Sequence, residues 1–138
     1  MKKKWIFFIA TFIGILITLL LYNFINHGKK DLISENAELV IFANNLFEEF
    51  EKDEIAATKM YNGKIIDVKG KIGEITKVNE KDLIFVLKEK DDIYGINCMI
   101  LVKGVKLNHY LVGDSIIIRG ILQGYLSDVI LNNCVIIK

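Results

Sequence analysis

The sequence predicts a mainly β protein, a small closed barrel of five strands. An amphipathic helical segment, as one helix or two, precedes the barrel, and a transmembrane helix precedes both. Three observations predict it. Trp5 to Ile25 is a run without one charged side chain. Between Ser34 and Tyr61 apolar residues recur three and four apart, the spacing of a helix that buries one stripe. From Lys64 onward the period becomes two, and glycines and charged turns cut the chain into five short apolar segments.

The uncharged run is 21 residues long. As a helix it reaches roughly 30 Å, the thickness of the hydrocarbon core. Trp5 and Tyr22 stand near its ends, where amphipathic rings prefer to lie, and Ile25 closes it. A cleaved signal peptide, the alternative, has a shorter apolar region and a small-x-small cleavage site; "YNFINHGKK" offers none. No cysteine follows the run to take a lipid. Lys2, Lys3 and Lys4 before the helix outweigh Lys29 and Lys30, offset by Asp31, after it. The positive-inside bias then keeps the N-terminus in the cytoplasm and places the remaining residues outside it.

Net charge is +1, so no global basic field gathers nucleic acid or anionic lipid from a distance. The average hides a gradient. Residues 31–61 carry eight acidic side chains against Lys52 and Lys59, whereas residues 62–138 carry eleven basic against nine acidic. In the acidic part Leu39, Phe42, Leu46 and Phe50, with Ile41 and Phe47, form the predicted stripe. Ser34 is the expected N-cap, with Glu35 and Glu38 in the first turn, and Asp53 looks like a second cap after a break.

In "KIIDVKGKIGEITKV" Ile66, Val68 and Ile72 share one face, with Asp67, Lys69 and Lys71 on the other. After Gly73 and Glu74 the parity slips by one, the mark of a bulge or sharp bend in a strand that can serve two sheets. "DLIFVLKE", "INCMILV", "SIIIRGILQG" and "DVILNNCVIIK" supply four more strands. The one sizeable connector, "KGVKLNHYLVGD", falls between the third and fourth and can include a helical turn. Five strands in this order describe an oligonucleotide/oligosaccharide-binding (OB) fold, a Greek-key barrel. The chain thus divides into a membrane anchor (1–30), a helical segment that packs on the barrel (31–61) and the barrel itself (62–138).

The segments "YNGKIIDVKGKIGEI", "INCMI", "VGDSIIIRGILQGY" and "SDVILNNCVI" together resemble the tRNA_anti-like family of OB-fold proteins. Ala57 to Tyr61, Gly63 to Gly70, Gly113 to Gly120 and Asp128 to Cys134 stand at the places of its motifs, and Leu122 stands where many relatives carry a cysteine. The resemblance covers about Leu39 to the C-terminus and implies a barrel; its motifs are turn glycines and core positions, which imply no activity.

Few residues suggest chemistry. Cys98 shares parity with Ile96 and Ile100 and points inward; Cys134 shares parity with Ile136 and points inward if Asn132–Asn133 forms a bulge after Leu131, on a strand that neighbours that of Cys98 in an OB fold. A disulfide and a pair of buried free thiols are both open. His27 and His109 have no triad partners in sequence, Gly120 and Gly124 make no phosphate loop, and Asp91–Asp92 and Glu48–Glu49 are adjacent solvated acids. No catalytic residue, metal ligand or cofactor site is expected. A single-strand binder needs aromatic platforms and a cationic groove. Lys64, Lys69, Lys71, Lys77 and Arg119 form a modest cationic strip, but the platform positions hold Asn97, Met99 and Leu101, and Phe85 faces the core. Nucleic acid is therefore the lesser expectation, ahead of a structural spacer with no ligand. The leading one is a membrane-anchored, non-enzymatic binding module for a protein or cell-envelope component. Its expected contact surface is the loops "KEKDDIYG" and "QGYLSD", with Tyr94, Tyr125, Lys69, Lys71 and Arg119.

Overall fold

A computed structural model describes residues 11–22, 32–79, 82–101 and 109–137. The chain forms two compact units, Met1–Lys30 and Asp31–Lys138. In the first, residues 11–22 are helical (α1) and their apolar side chains, from Phe12 to Tyr22, are exposed. The Thr18 hydroxyl donates to the Gly14 and Ile15 carbonyls, at 3.0 and 2.8 Å, so the one polar side chain in mid-helix is satisfied within it. No helix among the described residues is long and apolar enough to cross a membrane. Both ends of the expected span, Trp5 and Ile25, lie outside the described residues, as does His27.

The second unit runs β1 (Leu39–Phe42), α2 (Ala43–Lys52), α3 (Glu54–Tyr61), β2 (Ile65–Lys77), β3 (Asp82–Leu87), β4 (Ile96–Leu101), β5 (Ser115–Leu126) and β6 (Asp128–Ile136). The last five strands close a circuit, β2-β3-β4-β6-β5 and back to β2. Closure depends on β2, which is long enough to have two sets of partners. Ile65–Lys71 pair antiparallel with β5, and the stretch from Ile72 to Lys77 pairs with β3. The register slips between Ile72 and Glu74, where the parity of the sequence slips. β4 and β6 lie side by side in parallel, which completes the OB arrangement. Part of the connector after β4, residues 102–108, lies outside the described residues.

The helical reading of residues 34–42 is corrected. Leu39–Phe42 is a sixth strand, parallel to β2, with Leu39 opposite Ile66 and Phe42 opposite Lys69. Four consecutive apolar residues fit helical spacing and strand alternation equally, and "LVIF" is rich in the branched and aromatic side chains that favour strands. As a strand it turns Leu39 and Ile41 toward the core and leaves Val40 and Phe42 outside. Helix α2 consequently begins at Ala43, with Phe42 in the cap position and no side-chain cap. Ser34 lies in a turn well before it. The break is where the sequence suggests: Asp53 ends α2, and its carboxylate accepts from the Ala56 N–H at 3.0 Å to start α3.

The barrel interior holds Ile66, Val68, Phe85, Cys98, Ile118 and Leu131, each fully buried. Helix α2 places Ala43, Leu46 and Phe50 over it, and α3 adds Ala57 and Tyr61. The helices thus stand beside the β3–β4 loop and the β5–β6 hairpin, the two elements that build the candidate surface.

Candidate partner-binding surface

Two expected contact loops are held together by one carboxylate. Asp128, the first residue of β6, accepts from the Gly95 N–H at 2.7 Å and from the Asn97 side-chain amide at 3.2 Å. The Val129 N–H donates back to the Gly95 carbonyl at 3.0 Å. Gly95 is buried against β3: a Cβ there would come 2.5 Å from the Leu87 carbonyl oxygen. The loop Lys88–Gly95 is also tied internally, with the Glu89 N–H donating to the Asp92 carboxylate at 3.3 Å and the Lys88 ammonium to the Ile93 carbonyl at 3.4 Å. Ile93 and Tyr94 are therefore presented outward, 80% and 48% exposed, on a braced loop. On the adjoining hairpin Leu126 is 78% exposed beside Ser127, which takes the positive φ of 63° that the reversal requires.

Tyr125 is half-buried rather than free. Its ring stacks on Phe50 at 5.5 Å between centroids and meets Phe47 edge-on at 6.1 Å. Burial raises its phenol above the ordinary value, and the Glu51, Glu54 and Asp128 carboxylates add to the rise. Between this aromatic cluster and the β3–β4 loop lies a cleft of about 480 Å³, walled by Phe47, Leu87 and Tyr94 and edged by Glu48, Glu51, Asp91 and Asp92.

Three residues of the cationic strip have partners within the unit. Lys69 lies over the Phe42 ring, 6.0 Å from its centroid, and Lys71 pairs with Glu89 at 3.0 Å. Both line a second groove of about 620 Å³ beside the start of α2, floored by Ala43, Gly70 and Ile116. Arg119 is taken up inside the unit by Asp67 and by the Leu32 and Glu35 carbonyls. The barrel front, where OB folds hold oligonucleotides, presents Ile84, Val86, Asn97 and Met99 with Glu74, Thr76 and Lys88, an aliphatic surface with polar groups of both signs. Phe85 faces the core, as its parity indicates.

Cys98 and Cys134 are free thiols, buried in the barrel. Asn133, at a φ of 53°, supplies the local twist that turns Cys134 inward. Burial first, and then a hydrogen bond with Cys98, push the Cys134 thiol well above its ordinary range. A Cβ on Gly120 would stand 2.7 Å from the Cys134 sulfur, so glycine makes room for it. His109 is exposed at the start of the turn before β5. Glu49 accepts from the Tyr61 hydroxyl at 2.6 Å, whereas Glu48 faces the cleft. Among the described residues no group of three or more His, Cys, Asp or Glu could hold a metal. Sequence reasoning missed Asp128 as the loop brace, and Ile93 and Leu126 as exposed tips. Ile93, set among charged and glycine residues in a turn, was the one signal available.

The family model tRNA_anti-like matches residues 1–136. The chain belongs to the tRNA_anti-like family. No curated protein matches it. Among solved structures it is similar to a protein of Klebsiella pneumoniae subsp. pneumoniae provisionally named a nucleic acid-binding lipoprotein. That match has a TM-score of 0.54 and 15% identity, and covers 71% of this chain and 91% of that one. It is also similar to part of the asparaginyl-tRNA synthetase of Entamoeba histolytica, with a TM-score of 0.44, 18% identity, and 55% of this chain and 21% of that one covered. At 15% identity the likeness to the Klebsiella protein is one of fold. In this tRNA_anti-like chain the motif residues do structural work. Gly63 and Gly113 take positive φ at turns, at 77° and 99°, and Asp128 braces the loops.

Proposed function

We propose that this protein is a membrane-anchored OB-fold module that binds a protein or a cell-envelope component through the loop end of its barrel. The observation that carries the reading is the braced pair of loops, with Ile93, Tyr94 and Leu126 held in solvent by the bonds of Asp128. Exposed apolar side chains on a fixed scaffold are what a binding surface needs, because little ordering cost remains to be met on association. The anchor is supported by the uncharged run Trp5 to Ile25, of which residues 11–22 are helical with their apolar side chains exposed. The lysines before that run support a cytoplasmic N-terminus and a barrel outside the cytoplasm.

The name of the Klebsiella protein favours a second reading, single-stranded nucleic acid. Against it stand the engaged cations Lys69, Lys71 and Arg119 and, among the described residues, a barrel front without stacking side chains. Site-specific photo-crosslinking separates the two. A photoreactive residue at Tyr94 of the full chain in its native membrane is expected to give a protein adduct that the same residue at Val78 does not. An adduct that vanishes with nuclease supports the second reading, and equal adducts from both positions remove the surface assignment.

A further inference from the structure

We infer that the cleft between α2 and the β3–β4 loop receives a lysine- or arginine-rich protein segment that also carries a large apolar side chain. The inference rests on the binding-module reading and adds the chemistry of the occupant.

The cleft has the anatomy of a small interface, an apolar middle within a charged rim. Phe47 and Tyr94 supply the middle, and about 480 Å³ is room for one bulky side chain with part of its backbone. Ile93 and Leu126, 80% and 78% exposed, extend the apolar surface onto the braced loop and hairpin. Around this middle the rim is mostly acidic. Glu48, Glu51, Asp91 and Asp92 edge the cleft, all on exposed positions.

The nearby cations do not cancel that rim. Lys88 lines the cleft with its ammonium at the Ile93 carbonyl, where it keeps its charge and offsets one of the four acids, and Glu89 is matched by Lys71. Lys52 and Lys90, exposed at the end of α2 and on the loop, offset two more and still leave an acidic excess. Glu54 and Asp128, near Tyr125 beneath this end, add to the negative charge there. A polyanion is repelled here, which sets the occupant apart from nucleic acid. A bare metal ion is not matched either, since the described acids do not converge in a group that could hold one. A cationic segment gains from the rim without losing the apolar contact, and charge of this kind chiefly sets partner choice and association rate.

The test uses the full chain in nanodiscs of neutral lipid. The probe is a short fluorescein-labelled peptide of lysine and leucine, with its glutamate-for-lysine counterpart as control, followed by fluorescence anisotropy. The lysine peptide is expected to bind and the glutamate peptide not. The variant Glu48→Lys/Glu51→Lys/Asp91→Lys, changed only at exposed positions, is expected to weaken binding about tenfold or more, and about 0.5 M salt to do the same to the native chain. Ile93→Ser/Leu126→Ser is expected to weaken binding while keeping its salt dependence, which separates the apolar contribution from the charged one. Equal binding of the two peptides, or indifference to the charge reversal, overturns the inference. The Tyr94 crosslink identifies which reading fails. If an adduct forms and mass spectrometry shows its partner segment to be neutral or acidic, the basic occupant is wrong and the binding module stands. If Tyr94 gives no more adduct than Val78, both fall.

Discussion

Arg119 closes on Asp67 across the β5–β2 pairing, with Nε 2.6 Å from one carboxylate oxygen and a terminal nitrogen 2.8 Å from the other. Both side chains are mostly buried, at 14% and 11% exposure. The remaining guanidinium nitrogen donates to the carbonyls of Leu32 and Glu35, so one side chain joins the barrel wall to the segment that leads into β1. The fork geometry suits arginine and no other side-chain cation.

Arg119→Ala is therefore expected to destabilise the unit by about 3–5 kcal/mol, because it leaves the Asp67 carboxylate buried without its partner. Arg119→Lys should recover only part of this, since an ammonium cannot hold both carboxylate oxygens and two carbonyls at once. Urea melts of the detergent-solubilised chain check the order native, Lys, Ala. Hydrogen exchange over residues 32–38 should rise in both variants, and unchanged protection there would remove the joining role of Arg119.

The brace at the loop end gives a second prediction. Gly95→Ala forces a methyl group to within 2.5 Å of the Leu87 carbonyl oxygen, a backbone atom that cannot step aside. Asp128→Ala instead leaves the buried Gly95 N–H unpaired, a loss of about 1–3 kcal/mol. Both changes should loosen residues 88–95 and weaken the Tyr94 crosslink, while Asp128→Asn, which keeps one acceptor oxygen, should do less. Crosslinking yields in the order native, Asn, Ala are the outcome to look for; equal yields would detach the brace from binding.

The barrel was legible because its signals are local. The parity slip at Gly73–Glu74 marks the bend of β2, and the alternation in β3 to β6 sets which side chains face inward, Phe85 and Cys98 among them. The start of the helical segment was misread because Leu39–Phe42 satisfies both periods, and what decides is a parallel pairing with Ile66–Lys69, some 27 residues on, that no short window contains. The surface was legible only in outline. Tyr94 and Tyr125 lie at one end as their turns imply, but Tyr125 is half-buried because α2 places Phe47 and Phe50 against it. Part of the strip of lysines is taken up for a similar reason: Glu89 and Phe42, which engage Lys71 and Lys69, come from other elements. Tertiary pairing of charges is not written in spacing.

The two cysteines give a third prediction. Burial raises the Cys134 thiol, and the thiolate is the species that reacts with an alkylating reagent. Iodoacetamide should label neither cysteine in the folded chain near neutral pH and both after denaturation without reductant, counted by mass spectrometry. Labelling of only unfolded, reduced protein would instead reveal a disulfide between Cys98 and Cys134. Gly120→Ala should destabilise the barrel, because the added methyl meets the Cys134 sulfur at 2.7 Å and Leu131 at 3.0 Å. The double variant Gly120→Ala/Cys134→Ala should recover part of that loss.

Tyr61 supplies a prediction about alkaline stability. It is buried at the end of α3, and burial first, then its hydrogen bond and charge contact with Glu49, push its phenol from 10.0 up to about 12. The unfolded chain loses that proton at the ordinary value while the folded chain keeps it. Between pH 10.0 and about 12 the folded state thus binds more protons, and stability falls as pH rises. Below that window the contribution is complete. Tyr61→Phe removes the hydroxyl and its bond to Glu49, a loss of about 1 kcal/mol at neutral pH because the carboxylate stays solvated. The gap between native and variant should then narrow through the alkaline window, with Tyr125 contributing alike to both. Urea midpoints measured from neutral to strongly alkaline pH test this, and a gap that stays constant would mean that the Tyr61 phenol titrates alike in the folded and unfolded chains.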